Sequence, residues 1–217
     1  MSELEIPKSG ASRGEDGVAR CWWCRDDSLY RQYHDDEWGR PVAEDSALFE
    51  KLCLEGFQSG LSWLTILRKR ENFRRAFKSF EITSVARFNA RSVERLLSDA
   101  GIVRHRGKIE STINNARRCR ELVEEFGSLG SYVWSFEPQE RSRPDRLDWP
   151  TLVKLGPSAE ATRMSKDLKR RGWSFVGPTT VYSFMEAVGL VNDHVSACSL
   201  RERVETERRQ FSRPSGG

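Results

Sequence analysis

The segment from Gly172 to Cys198, GWSFVGPTTVYSFMEAVGLVNDHVSAC, constrains the fold more than any other stretch of the chain. Its glycine- and proline-containing start, 172–178, predicts a turn that exposes backbone N–H groups at the beginning of a helix. Apolar residues then recur at helical spacing, which predicts a helix over 179–188. His194 and Cys198 follow four positions apart, so on a helix both side chains would face the same way. A turn that can bind phosphate, a buried helix and half of a metal site together favour a protein that binds nucleic acids.

The composition is that of a globular protein with one large domain or two small, closely packed ones. The chain has 217 residues, of which 37% are hydrophobic and 31% charged, and a chain of this length can bury most of its apolar surface. The net charge of +4 is weak evidence for a phosphate-bearing partner, because many proteins with neutral ligands are equally basic. We expect a monomer.

The five cysteines and the lack of long apolar runs bear on location. An odd number of cysteines argues against a full disulfide framework and favours a reducing, cytoplasmic setting. No apolar run approaches the roughly 20 residues that a membrane span needs. The N-terminus, MSELEIPKSG, lacks the charged-then-apolar order of a signal peptide.

The chain divides into a central domain and two tails. Residues 1–19 are rich in Gly, Ser and charge without periodicity, so we expect a disordered N-terminal tail. We expect residues 20–199 to form the folded domain, and 200–217 to be a C-terminal tail that is mostly disordered. Residues 137–157 hold four prolines and predict a loop.

Helices are the predicted secondary structure of the domain. Apolar residues recur at three- and four-residue steps, and no alternation is long enough to indicate a sheet. Helices are predicted to begin at or near Ser28, Asp45, Ser62 and Lys108, and another over 158–171. Gly101 is predicted to be a helix C-cap. The predicted fold class is therefore all-α.

A run of basic residues precedes the long helix that opens at Lys108. Its members are Arg104, His105, Arg106 and Lys108. Such a run is often a solvated turn, and it can also hold a backbone phosphate. The sequence leaves both interpretations open. His105 has no second ligand at a suitable spacing, so we do not assign it to a metal.

Two cysteines and two histidines have the composition of a closed tetrahedral zinc site. They are Cys21, His34, His194 and Cys198. Because the two pairs come from opposite ends of the chain, the zinc would be structural and would join the N-terminal segment to the last helix. The alternative is that both cysteines are ordinary buried thiols. Cys24 forms a Cys-x2-Cys pair with Cys21, so spacing alone leaves open which sulfur binds.

Aromatic residues are unusually dense in the stretch RCWWCRDDSLYRQYHDDEWG. They predict either a core cluster or the wall of a flat pocket. Glu55 lies near the end of an apolar helix, where a carboxylate is usually exposed to solvent. Beside aromatic residues it is a candidate hydrogen-bond acceptor in a pocket.

Several separated motifs resemble the bacterial 3-methyladenine DNA glycosylase I family of the helix-hairpin-helix superfamily. The stretch above is joined by CLEGFQSGLSW, DAGIVRHRGKI, FVGPTTVYSFMEAVGLVNDHV and the terminal Cys198, in the family's order from about Arg20 onward. The resemblance implies a helix-hairpin-helix over 158–188, whose N–H groups bind a DNA phosphate. It also implies a zinc site that uses Cys21 rather than Cys24.

The resemblance implies a base pocket and a set of DNA contacts. Recognition and catalysis would centre on Glu55, and base binding on Tyr33, Trp63, Trp23, Tyr30 and Trp38, while Gly60, Leu61, Gly172, Gly177 and Thr179 would contact DNA. 3-Methyladenine in DNA is cationic, and aromatic faces attract cations and stack on flat rings. A glutamate can accept hydrogen bonds from the exocyclic amine and the ring edge. The turn at Gly60 and Leu61 would probe the gap left by the extruded nucleotide.

Two positions predict a monofunctional enzyme acting on duplex DNA. Asn192 stands where related glycosylases carry a catalytic aspartate, with Asp193 adjacent, and Thr179 stands where bifunctional members carry a Schiff-base lysine. A cationic base leaves as a neutral molecule and needs little acid catalysis. The alternatives are a zinc-stabilised DNA-binding module without catalysis, and a glycosylase with a shifted lesion preference set by Phe57, Gln58 or Cys24.

Overall fold

The computed structural model describes residues 6–139 and 142–215, and that part of the chain is mostly helical. The helices are α1 (Ser28–Asp36), α2 (Asp45–Gln58), α3 (Trp63–Ala76), α4 (Ile82–Ala86), α5 (Ala90–Ser98), α6 (Arg106–Phe126), α7 (Leu129–Trp134), α8 (Trp149–Leu155), α9 (Ala159–Arg170), α10 (Pro178–Ala187) and α11 (Arg201–Gln210). Short 3-10 turns lie at Trp22–Cys24 and Lys78–Phe80. The predicted helical fold is confirmed.

Side-chain caps set the beginnings of most helices. Helices are predicted to begin near Ser62 and Ser158, and these serines cap α3 and α9 by accepting a hydrogen bond from a first-turn N–H. Two predicted caps are wrong by one residue, because Asp27 caps α1 and Glu44 caps α2. The carboxylates at these positions reach the free N–H groups, so Ser28 and Asp45 become the first helical residues. Gly101 is also not a cap, because α5 ends at Ser98.

The N-terminal segment forms a two-stranded antiparallel ribbon, β1 (Ala11–Arg13) and β2 (Ala19–Cys21). The prediction of disorder is therefore wrong over residues 6–19, and residues 1–5 lie outside the described residues. Arg20 forms a bidentate ion pair with Asp35 at 2.7–2.9 Å. The Ala19 carbonyl accepts from the Ser199 N–H at 2.8 Å. A ribbon this short is marginal by itself, so contacts with distant residues hold it.

The C-terminal segment contains α11, so the prediction of a mostly disordered tail is wrong over residues 201–210. Only Val204 of this helix is buried. Polar contacts attach α11 to the body instead. Arg208 donates to the carbonyls of Gly189 at 2.7 Å and of Leu190 at 3.0 Å. The sequence of α11 therefore has no apolar periodicity from which the helix could be predicted.

The proline-rich segment 137–157 is not wholly a loop. It contains α8, whose first turn is capped by Asp148 and includes Pro150. Proline is tolerated at this position because the first N–H of a helix has no partner within the helix. The prolines therefore mark the start of a helix as well as the loop before it.

Helix α2 lies at the centre of the fold and is buried from Leu48 to Phe57 on most of its surface. It packs against α3, α6, α7 and α10, and α10 also packs against α9. This arrangement brings the end of α2, the start of α3 and one face of α10 to the same place. Among the described residues, none of the helices combines the length and the hydropathy needed to cross a bilayer.

Candidate active site and metal centre

A cavity of about 190 Å³ lies where α1, α2, α3 and α10 meet. All six predicted pocket residues line it: Trp23, Tyr30, Tyr33, Trp38, Glu55 and Trp63. Gln58, Ser183 and Glu186 complete the lining. The sequence suggested Gln58 only as a neighbour and missed Ser183 and Glu186, because nothing local connects α10 to an aromatic stretch about 150 residues earlier in the chain.

Local structure turns the aromatic rings toward one another. Tyr30 and Tyr33 lie one helical turn apart on α1, and Trp63 is the first residue of α3, directly after its Ser62 cap. The Trp23 ring centroid lies 4.9 Å from that of Tyr30 and 5.0 Å from that of Trp38. The Tyr33 and Trp63 centroids lie 5.5 Å apart. The cavity therefore has flat aromatic walls suited to a planar ring.

The carboxyl group of Glu55 is the polar centre of this cavity. Its residue is only 6% exposed, and it accepts no hydrogen bond from the described residues. Burial raises the pKa of Glu55 to about 8, and the positive charge of Lys51 opposes this only in part. A buried carboxyl group without a partner is costly to fold. Its place in a cavity marks it as a ligand-binding group.

Glu50 on the same helix is a contrasting case. It is 9% exposed, but Arg74 donates to both of its oxygens at 2.7–3.0 Å. Helix α2 therefore carries two buried carboxyl groups at similar depth, one paired within the protein and one left for a ligand. The indole N–H of Trp63, which also lines the cavity, is a buried donor that likewise has no partner among the described residues.

Glu186 brings a second carboxyl group to the cavity. Burial, and after it the negative charge of Asp193, raises the pKa of Glu186 well above its ordinary value. Asp193 is itself fixed by two donors, the Tyr182 hydroxyl at 2.6 Å and the Arg143 guanidinium. Of this carboxyl pair, Glu186 lines the cavity and Asp193 lies behind it.

Asn192 points away from the cavity. Its amide donates to a Glu205 carboxylate oxygen at 3.0 Å and to the Arg201 carbonyl at 3.2 Å, both on α11. Its own carbonyl oxygen accepts from the His194 N–H at 3.3 Å. Asn192 therefore joins the C-terminal helix to the body, and it makes no contribution to the cavity lining.

The four predicted metal ligands form a single buried cluster, with all ligand atoms within 4.8 Å of one another. The His194 Nδ1 lies 3.8 Å from the Cys21 Sγ and 3.4 Å from the Cys198 Sγ, while the His34 Nε2 lies 3.6 Å from the Cys198 Sγ. Zinc bonds of 2.0–2.3 Å in a tetrahedron separate the ligand atoms by about 3.5 Å. The donor set and its spacing therefore fit a zinc ion.

The second nitrogen of each histidine ring also has a partner. The His34 Nδ1 lies 2.7 Å from an Asp35 carboxylate oxygen, and the His194 Nε2 lies 3.2 Å from the Trp38 carbonyl. Such partners orient ring ligands toward a metal. Beside Cys21, the pKa of the Cys198 thiol is lowered, which favours the thiolate that a metal requires.

One detail of the predicted metal site differs in the structure, and the choice of Cys21 over Cys24 agrees with it. His194 and Cys198 lie in a loop between α10 and α11, so the expectation that a helix aligns them is wrong. The loop can place both side chains in the cluster because it contains short turns. In one of them the Cys198 N–H donates to the Val195 carbonyl at 2.8 Å. Cys24 lies outside the cluster, its thiol directed at the Cys21 carbonyl at 3.2 Å.

Two exposed turns flank the cavity region. In the first, between α2 and α3, Gly60 has φ +81°, and Leu61 is 41% exposed. In the second, between α9 and α10, Gly172 has φ +83°, and Phe175 is 39% exposed. Helix α10 begins at Gly177 without a side-chain cap, so its first N–H groups are open to a ligand.

The basic run before α6 is dispersed rather than a single cationic surface. Arg106 pairs with Glu94 and Glu110, and the His105 ring accepts from the first turn of α6. Lys108 is buried, and its ammonium group donates to backbone carbonyls. Lys108 is thus turned away from solvent, whereas Arg104, His105 and Arg106 are exposed, and a phosphate contact by these three stays a prediction.

Comparison with known proteins gives consistent matches over nearly the whole domain. The methyladenine glycosylase family matches residues 23–202. DNA-3-methyladenine glycosylase 1 of Escherichia coli K12 is 48% identical over 182 residues, which cover 83% of this chain and 96% of that protein.

Solved structures agree with the sequence match. A crystal structure of 3-methyladenine DNA glycosylase I is 45% identical, with a TM-score of 0.76 over 83% of this chain and 98% of that one. The Staphylococcus aureus enzyme, solved to explain its recognition of 3-methyladenine, is 37% identical, with a TM-score of 0.76 over 84% of this chain and 96% of that one.

Proposed function

This chain belongs to the methyladenine glycosylase family, and we propose on that basis that it is a DNA glycosylase that releases 3-methyladenine from alkylated DNA. The observation that carries the proposal is the unpaired, buried carboxyl group of Glu55 within an aromatic cavity. A cationic planar base supplies what this cavity lacks, namely a positive charge, hydrogen-bond donors and a ring that stacks on aromatic walls.

The cavity promotes cleavage of the bond between the base and the deoxyribose. The Tyr33 and Trp63 rings stack on the base, and Glu55 accepts hydrogen bonds from its exocyclic amine and ring edge. When the glycosidic bond breaks, its electron pair moves to the base, which leaves as neutral 3-methyladenine. A water molecule adds to the sugar carbon and gives up a proton to solvent. A cationic leaving group makes general acid catalysis unnecessary, so the protein mainly binds and orients.

DNA engagement would use the two exposed turns. Helices α9 and α10 and the turn between them form the helix-hairpin-helix element, in which the uncapped start of α10 at Gly177 binds a backbone phosphate. Leu61 enters the duplex where the nucleotide is extruded. Thr179 in place of a lysine, and Asn192 turned toward α11, support a monofunctional glycosylase without strand cleavage.

We also propose that Cys21, His34, His194 and Cys198 hold one structural zinc ion. Four protein ligands leave no open position, which is typical of a structural site. The ion would tie β2 and α1 to the loop before α11, and so brace the aromatic residues that precede and follow the ligands. The five reduced cysteines fit action in the cytoplasm, where we expect a monomer.

The test is base release from methylated duplex DNA, resolved by chromatography. We expect free 3-methyladenine with intact DNA strands. A protein that binds such DNA but frees no base would be a DNA-binding module, and the enzyme proposal would fail. Release of a different methylated base in preference to 3-methyladenine would instead support a shifted lesion range.

A further inference from the structure

Lys108 has an unusual environment for a lysine. It lies in the first turn of α6 and is 7% exposed. Its Nζ donates to the Phe57 carbonyl at 2.9 Å and to the Ser59 carbonyl at 2.5 Å. Within the described part of the chain it has no carboxylate partner. Burying an ammonium group that binds only carbonyls costs free energy. We therefore take these two hydrogen bonds as the main structural role of Lys108.

Both carbonyls belong to the junction between α2 and the first exposed turn. Phe57 lies in the last turn of α2, and Ser59 is its C-cap. The last carbonyls of a helix have no partner within it, and a cation placed there also complements the helix dipole. Lys108 therefore fixes the point at which α2 ends and the turn with Gly60 and Leu61 begins.

This junction separates two parts of the site. Glu55 lies two residues before Phe57, and Leu61 lies two residues after Ser59. Gly60 has φ +81°, and nothing lies within 4 Å of the place a Cβ would take, so side-chain packing at Gly60 does not hold the turn. Within the turn the Leu61 N–H donates to the Gln58 carbonyl at 2.6 Å, and Lys108 fixes the carbonyls on either side of Gln58. The exposed Leu61 side chain is 41% accessible and has no protein surface to anchor it fully. The direction in which Leu61 projects thus depends on the backbone that Lys108 holds.

The same helix also holds the second turn. The Asn115 side chain on α6 accepts from the Ser174 N–H at 3.0 Å and donates to the Ser174 carbonyl at 2.9 Å. The Ser111 hydroxyl donates to that carbonyl at 3.1 Å. Side chains on α6 therefore bind the backbone of both turns. Lys108 binds the turn that contains Leu61, and Ser111 and Asn115 bind the turn that contains Ser174.

We propose that Lys108 is a positioning residue for base extrusion, because its ammonium group holds the 59–61 turn so that Leu61 projects into the duplex. Lys108 touches neither base nor sugar. The inference rests on the proposed glycosylase function and on the role of Leu61 as the inserted residue. It predicts that loss of Lys108 slows release from duplex DNA and leaves the binding of free 3-methyladenine unchanged.

A double-mutant cycle tests this dependence. The variants are K108M, L61A and the double variant, each assayed by the single-turnover rate of base release from methylated duplex DNA. We expect each single variant to be slower by about 10- to 100-fold. Because Lys108 acts through Leu61, the double variant should be no slower than L61A alone. Losses that multiply in the double variant would overturn the proposal.

Three controls keep the outcomes distinct. Free 3-methyladenine binding should match the wild type in every variant, and a parallel loss in K108M would indicate general damage to the fold and overturn the proposal. K69M removes a similar contact, since Lys69 Nζ donates to the Ala100 carbonyl at 3.0 Å and the Gly101 carbonyl at 3.3 Å. It should retain the wild-type rate. A slow K69M would contradict a specific role for Lys108.

If K108M does not fold, K108A, which also lacks a donor, gives the same cycle with L61A. A wild-type protein that releases no base would refute the proposed function itself. A wild-type protein that is active, with a K108M or K108A variant as fast as the wild type, would refute only the role of Lys108.

Discussion

The Cys/His cluster and the aromatic cavity are neighbours built from some of the same segments, yet they treat polar groups in opposite ways. The Trp38 ring lies 4.6 Å from that of His194, and the Trp23 ring lies 5.3 Å from that of His34, so cavity walls rest on cluster ligands. In the cluster, both nitrogens of each histidine have a partner. In the cavity, the Glu55 carboxyl group has none among the described residues.

This difference separates groups that shape the protein from groups kept for a ligand. Folding normally pairs buried polar groups, and the cluster follows that rule even though its segments lie far apart in the chain. Leaving Glu55 unpaired costs stability, which a binding partner restores. The four predictions below would break or sharpen this contrast.

Substituting Glu55 by Gln should produce the largest change in activity. Glutamine keeps the shape but cannot lose a proton to become the carboxylate that pairs with the cationic base. We expect the rate of base release to fall by about 100-fold or more, measured in single-turnover assays, while the variant unfolds at a temperature no lower than the wild type.

The matched control is Glu50→Gln, one and a half turns earlier on α2. It leaves the Arg74 guanidinium without its buried partner, so we expect a loss of about 2 kcal/mol in the free energy of unfolding and a rate of base release close to wild type. A Glu50→Gln variant that loses activity as Glu55→Gln does would remove the distinction between the two carboxyl groups.

Substituting His194 by Ala should produce the largest change in stability. Loss of one ligand opens the zinc site, and we expect the free energy of unfolding to fall by about 3 kcal/mol or more. Metal analysis of freshly purified, reduced wild-type protein should find about one zinc per chain. His105→Ala, which changes the histidine outside the cluster, should leave the zinc content unchanged and lower the free energy of unfolding only by the loss of the α6 cap, about 1 kcal/mol. Wild-type protein without zinc would contradict the metal assignment.

The pH dependence of stability should report the unpaired state of Glu55. Its pKa is about 8 in the folded protein, above the ordinary value of about 4.3 in an unfolded chain. Between these values the folded state keeps a proton that the unfolded state loses, so the free energy of unfolding falls as the pH rises. Urea unfolding at pH 5.5 and 7.5 should show a fall about 2 kcal/mol larger for the wild type than for Glu55→Gln. Equal falls would mean that Glu55 is not buried and unpaired.

Substituting Gly177 by Asp should have the smallest effect and a selective one. A carboxylate at the start of α10 repels a DNA phosphate but complements the helix dipole, so DNA affinity should fall by about tenfold without loss of stability. Binding of free 3-methyladenine should survive, as calorimetry can establish. Gly177→Ala, which meets open space in the protein, serves as the neutral control. Equal losses of DNA and base binding would argue against the phosphate role.

The sequence was sufficient for much of the helical framework, and the family resemblance added six of the residues that line the cavity. Helical periodicity and the Ser62 and Ser158 caps are local signals, and the structure confirms them. The density of tryptophan and tyrosine near Cys21 is compatible with a core cluster or a pocket wall, and Trp23, Tyr30, Tyr33 and Trp38 line the cavity. These features could be predicted because each depends on residues close together in the chain.

The features that could not be predicted depend on distant contacts. The N-terminal ribbon is held by Asp35 and Ser199, and α11 is held mainly by polar contacts, so neither has a pattern of its own. Glu186 reaches the cavity only because α10 packs against α2. Lys108 was grouped with neighbouring basic residues, although its partners lie 49 and 51 positions away.

Binding of free 3-methyladenine, measured by calorimetry on the wild type, Glu55→Gln and Glu50→Gln, tests most directly whether the unpaired carboxyl group is the recognition element. This measurement involves neither DNA nor cleavage, so it isolates the cavity from the turns and from the zinc site. We expect the wild type and Glu50→Gln to bind with the same affinity and Glu55→Gln to bind at least about tenfold more weakly. Equal binding by all three proteins would show that Glu55 does not recognise the base.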